Sequence, residues 1–193
     1  TVFYRHGILF ASDREHESGK TYGWTGNNYL SLYFAGMPNR DSISGPFGKP
    51  QQAPEIAGQP WHDGPVSFNG DFTELFINRT QAAHDKGKKE HGHFRTHLLK
   101  IFTAKPEADK WSMPRPFFLN SDDYSVGHPA LTPDGNTLYF VSDMDGGLGE
   151  TDLYVCRREG GQWDEPVNLG AEINTPGKEM FPFVAANGDL YFA

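Results

Sequence analysis

The sequence predicts an all-β protein, a β-propeller of about three four-stranded antiparallel blades plus a partial blade. Three observations carry this. Residues 127–170 read as four short strands joined by tight turns; the same order of markers recurs twice in the chain; and no long stretch has the apolar period of a helix.

The clearest unit opens with the apolar stretch His128-Pro129-Ala130-Leu131-Thr132. Pro133-Asp134-Gly135-Asn136 follows as a hairpin signal, because Asp-Gly tolerates the positive φ of tight turns. Thr137 to Asp143 reads as the second strand, the glycine-rich Gly146-Gly147-Leu148-Gly149 as a connection, and Asp152 to Arg157 as the third strand. Glu159-Gly160-Gly161-Gln162 is a second tight turn, and a fourth strand is expected to start at Trp163 and run through Pro166-Val167-Asn168-Leu169.

Inner strands ending at Phe10, Phe76, Phe140 and Phe192 each follow a turn: Arg5-His6-Gly7, Asn69-Gly70-Asp71, Asp134-Gly135-Asn136 and Asn187-Gly188-Asp189. An aromatic-x-x-Pro signature marks the fourth strand at Phe47 to Pro50, Trp111 to Pro114 and Trp163 to Pro166. A proline opens the next unit at Pro65, Pro129 and Pro182, which lie 15, 15 and 16 residues further on. The Phe-to-Phe spacings are 66, 64 and 52 residues. The last is near the roughly 40–50 residues of one blade, and the longer two carry polar insertions at Glu15 to Asn28 and Gln81 to Arg95.

Sheets with apolar residues on both faces, as in Leu138-Tyr139-Phe140-Val141, cannot leave one face wet; stacking them around an axis buries both. The aromatic at the start of the fourth strand is expected to fill the wedge between blades, with the proline on an outer edge where a missing N–H costs little. The units are residues 1–62, lacking an opening strand, 63–126, 127–179 and a partial 180–193. The chain is therefore expected to be a piece of a propeller of about six to eight blades, the other reading being that its termini pair with other chains.

Composition narrows the function. A net charge of −8 argues against the nucleic-acid backbone as main partner. Cys156, the one cysteine, cannot form an internal disulfide, and mid-strand it reads as a packing residue rather than a nucleophile. No apolar run approaches the ~20 residues of a membrane span, and no signal peptide is visible; Thr1 does not read as the native start. Neither a nucleophile elbow, a P-loop nor a dinucleotide fingerprint occurs, so no catalytic residue and no cofactor is expected.

Three segments carry candidate site residues. His91, His93 and His97, with His84 nearby, form the one metal-like constellation. No carboxylate or cysteine completes the set, and the lysine-rich surroundings read as a solvated insertion, so no metal is expected. Asp143-x-Asp145-Gly146-Gly147 through Asp152 is faintly like a calcium loop but fails the EF-hand spacing; the expectation is that Asp143 and Asp152 bond backbone amides. Tyr22, Trp24 and Tyr29, in the first insertion, are candidates for meeting a glycan or protein partner, against the alternative that they pack the loop onto its own blade.

Gly127 to Asp143 with Gly146-Gly147-Leu148-Gly149, Asp152-Leu153-Tyr154, Trp163 to Gly170 and Ile173-Asn174-Thr175-Pro176 resembles the TolB-type, WD-repeat-like propeller of OmpA-family outer-membrane-associated proteins of Bacteroidota, PorE-like components of type IX secretion among them. The resemblance is densest over 127–193; the two insertions, and Ile77-Asn78-Arg79 in place of Ser-Asp, depart from it. It implies an exported, periplasmic, outer-membrane-associated scaffold without enzymatic activity. Its expected partners are other envelope proteins, with peptidoglycan reached only through a domain not in this chain. The other reading is the propeller domain of a hydrolase, a prolyl-oligopeptidase-type peptidase or a glycosidase, where such blades also occur.

Overall fold

The computed structural model describes residues 1–14, 21, 25–38, 46–53, 56, 61–82, 97–108 and 110–193. The β-branched and aromatic runs form strands throughout, and the described residues contain no helix. The protein is all-β. The first sheet is β1 (Val2–Tyr4), β2 (Gly7–Ser12), β3 (Ser31–Gly36) and β4 (Gln51–Gln52), paired antiparallel in chain order. The second begins with β5 (Asp63–Phe68), β6 (Leu75–Ala82) and β7 (His97–Ala104). After a small arm of β8 (Pro106–Glu107) and β9 (Lys110–Trp111), β10 (Arg115–Pro116) returns to pair with β7. The third is β11 (Val126–Leu131), β12 (Thr137–Ser142) and β13 (Asp152–Glu159), whose outer edge takes β14 (Gln162–Trp163) and then β15 (Val167–Asn168). β16 (Phe183–Val184) and β17 (Leu190–Tyr191) form a final hairpin.

The four-strand meander expected over 127–170 is present. The turn between β13 and β14 is set by Gly160 and Gly161, with φ of 57° and 83°; two consecutive left-handed residues give a tight hairpin whose twist matches its strands.

Four details differ from the sequence expectation. The first sheet has its opening strand: Val2–Tyr4 pairs with β2 across the two-residue turn Arg5-His6, where Arg5 takes a left-handed φ of 51°. Three residues before a turn without glycine at its first position gave too short a signal. The fourth strand starts after the proline, not at the aromatic: β4, β10 and β15 begin directly beyond Pro50, Pro114 and Pro166. Proline has no N–H to give to a ladder, so pairing resumes one residue later. The strands carrying Phe10, Phe76 and Phe140 run past those residues and are second in their sheets, not innermost. Finally, Phe76 is out of step with Phe140. Leu75 pairs with Phe68 as Leu138 pairs with Leu131, so Ile77 is the equivalent of Phe140 and Phe76 that of Tyr139. The turns follow the same alignment: Phe72 (φ 54°) sits where Gly135 (φ 74°) sits in the next unit, and Asn69 Oδ1 accepts the N–H groups of both Thr73 and Glu74.

Period-2 alternation then settles the packing. Leu75 and Ile77 of β6 join Leu9, Leu32, Phe68, Phe102 and Trp111 in one core between the first and second sheets. Phe76, between them in sequence, points the other way into a second core with Ile101, Phe117, Leu138, Phe140 and Cys156, between the second and third sheets. The middle sheet is therefore covered on both faces. Trp111 and Trp163 sit in these two seams: Trp111 Nε1 donates to Tyr4 OH at 3.0 Å, and the Trp163 ring meets Phe76 edge-on with centroids 6.1 Å apart. Polar ties cross the second seam as well. Arg158 forms a two-pronged ion pair with Glu74 at 2.9 and 2.7 Å, and the Leu131 N–H donates to Ser67 Oγ.

Beyond the third sheet, the segment 174–179 docks through backbone. Thr151 bridges Lys178, Asn174 Oδ1 accepts the Leu153 N–H, and Glu150 N–H donates to Gly177 O. Gly149 lies so close that a β-carbon there would collide with the carbonyl oxygens of Thr175 and Gly177. Backbone cannot yield as a flexible side chain can, so Gly149→Ala is expected to cost about 1–3 kcal/mol, read as a lower melting temperature by circular dichroism.

Candidate functional site: a cavity between the first strands

The first strands of the three large sheets and of the final hairpin contribute to one cavity of about 520 Å³. Its walls come from β1, β5, β11 and β16 and the turns beside them, with Phe3, Val66, Phe68, Leu131 and Phe183 among the apolar residues. Proline recurs because each unit opens on one. Pro65 and Pro129 sit within the register shifts of β5 and β11, where the ladder needs no N–H from them. The residues before two of these prolines, His128 and Phe181, both take left-handed backbone, with φ of 50° and 53°.

Among the described residues no Asp, Glu, Lys or Arg side chain lines the cavity, and His128 is the one titratable side chain there. The imidazole is only 6% exposed. It stacks on the Phe181 ring with centroids 4.3 Å apart and planes 12° apart, and its Nδ1 accepts the Phe181 N–H at 3.3 Å. The backbone N–H of His128 donates to Asn78 Oδ1 at 2.9 Å, tying β11 to β6. Burial among these groups pushes His128 down to about 4, so the ring is neutral at physiological pH. With Nδ1 an acceptor, the ring proton is on Nε2. Sequence reasoning passed over His128 as an ordinary strand residue; the aligned prolines marked the place, but nothing local said that the first strands face a common space.

The other candidate residues fall elsewhere. Tyr29 is half-buried, its ring 4.9 Å from that of His62, which accepts the Leu30 N–H at Nδ1. Tyr22 and Trp24 lie outside the described residues, as do His84, His91 and His93. His97 opens β7 with its ring 6.1 Å from Trp61. Among the described residues no three His, Cys, Asp or Glu side chains converge as metal ligands would. Asp143 and Asp152 do bond backbone amides. Asp143 Oδ1 accepts the Ser125 N–H at 2.6 Å, and Asp152, buried, accepts those of Leu148 and Gly149 at 2.6 and 2.9 Å. Cys156 is fully buried in the second core, where burial first, then Asp164 and Glu165, pushes its thiol up to about 12. It is expected to react with Ellman's reagent only at the rate of global unfolding, measurable as equal rates of thiol modification and unfolding in urea.

No known family model matches the chain, and no curated protein is significantly similar to it. Among the described residues no helix is long and apolar enough to cross a membrane.

Proposed function

We propose that the chain is a segment of a TolB-like β-propeller of about six to eight blades, and that it serves as a non-enzymatic binding and scaffolding module of a periplasmic, outer-membrane-associated protein. One observation carries the architecture: the middle sheet is buried on both faces by its neighbours, while the first strands of the three large sheets and of the final hairpin border the same cavity. Face-to-face sheets with one strand of each turned to a shared space are what radial stacking produces. The wedge positions of Trp111 and Trp163 support the same reading. The cavity wall, with one neutral imidazole and no carboxylate, offers surface for binding rather than a paired acid and base. The envelope setting rests on the repeat resemblance around Gly127 to Asp143, Gly146 to Gly149 and Asp152 to Tyr154.

The test is affinity capture from detergent-solubilised outer membranes of a Bacteroidota species, with the immobilised chain as bait and an unrelated β-sandwich as control. Specific recovery of envelope proteins at stoichiometric levels is the expected result. Recovery of nothing beyond the control would overturn the scaffold reading.

A further inference from the structure

We infer that the cavity between the first strands is a binding site for a neutral, largely apolar small molecule carrying a hydrogen-bond-accepting oxygen, which His128 Nε2–H holds. The inference rests on the cavity and not on the scaffold role.

The argument starts from the imidazole. Nδ1 is occupied by the Phe181 N–H, so Nε2 carries the ring proton and is a donor. Nε2 has no hydrogen-bond partner among the described residues. Nor is it sealed: the buried side-chain polar atoms without partners are Tyr154 OH and Glu179 Oε2. His128 is itself a lining residue of the cavity and keeps 6% of its surface exposed. A donor held rigidly by a stack on one face and two backbone hydrogen bonds at its base, in an apolar surround, gains more from an acceptor than one in water does.

The walls define the rest of the ligand. Among the described residues no ionised side chain lines the cavity, so a charged group entering it would lose hydration with only the N-terminal amino group of Thr1 to offset it. Phe3, Val66, Phe68 and Phe183 supply apolar contact. A volume of about 520 Å³ is within the usual range of small-molecule sites, roughly 300–1,000 Å³. One fixed donor among apolar walls selects for one ketone, ester or ether oxygen on an apolar frame.

Camphor is a suitable probe, with camphor-10-sulfonate as its anionic counterpart. In chain labelled with ¹⁵N-histidine at pH 7.5, camphor is expected to shift the His128 Nε2 resonance saturably, and the sulfonate to bind at least tenfold more weakly. His128→Phe keeps the aromatic stack, since Phe181 is the corresponding residue of the next unit, and removes the donor. By saturation transfer to the camphor methyl groups, it is expected to weaken binding about five- to tenfold, the worth of one neutral hydrogen bond. Should that variant not fold, the wild-type Nε2 shift and the sulfonate comparison decide alone. Saturable binding that leaves Nε2 unmoved, equal affinity for the sulfonate, an unaffected variant, or no saturable binding up to the solubility of camphor would each overturn the inference. None of these outcomes bears on capture of envelope proteins.

Discussion

Replacing Phe76 by alanine is expected to lower the unfolding free energy by about 3–5 kcal/mol. Phe76 is fully buried in the middle strand pair of the middle sheet, and its ring contacts both sides of a seam: Phe117 of its own sheet, centroids 5.3 Å apart, and Trp163 of the next, 6.1 Å apart, both edge-on. The cavity left behind would be enclosed by β-strands on both sides, which cannot move inward without breaking their ladders, so relaxation is small. Urea denaturation followed by tryptophan fluorescence measures the loss. The seam also makes the effect non-additive. Trp163→Ala in the Phe76→Ala background should cost less than it does alone, by about 0.5–1.5 kcal/mol, because the edge-to-face contact is already gone. Strict additivity would mean that the second and third sheets do not share a core.

The second large effect is on pH. His128 sits at about 4 in the folded chain against an ordinary 6.5. Above pH 6.5 the ring is neutral in both states and stability is independent of pH through this group. Between pH 6.5 and 4 the unfolded chain takes up a proton that the folded chain refuses, so stability falls as pH falls; below 4 both forms are protonated and the loss is complete. The whole loss is about 3 kcal/mol. Geometry reinforces it, since protonating Nδ1 would turn the acceptor of the Phe181 N–H into a second donor. His62, lowered by burial and then by His97, acts in the same direction, and carboxylates contribute at the acid end. The informative quantity is therefore the difference between wild type and His128→Phe in urea midpoint, measured from pH 7.5 to 4. A flat difference would place the imidazole in solvent.

Much of the strand order was legible because the relevant signals are local. Asp-Gly and Gly-Gly turns, β-branched and aromatic runs, and the spacing of prolines are properties of a few neighbouring residues, and they located the meander of 127–170 and the Gly160-Gly161 hairpin. The bonding of Asp143 and Asp152 to nearby amides was readable for the same reason: the partners are within the turn or just across it. The recurrence of the tryptophans marked residues that pack between neighbouring sheets.

Register was not legible. Ile77 rather than Phe76 matches Phe140, and the left-handed residue of the preceding turn is Phe72 rather than Gly70, which no propensity favours. A one-residue slip exchanges the faces of the whole strand, so this small local choice decides which seam each side chain joins.

The sequence by itself determined the strands, most of their turns and the need to cover both faces of each sheet, because alternation, turn chemistry and apolar content act over a few residues. Only the tertiary structure decided which face meets which neighbour, and that the first strands border one cavity around His128. Those facts depend on contacts between residues 50 or more positions apart, such as Asn78 with His128 and Glu74 with Arg158, and no local pattern encodes them.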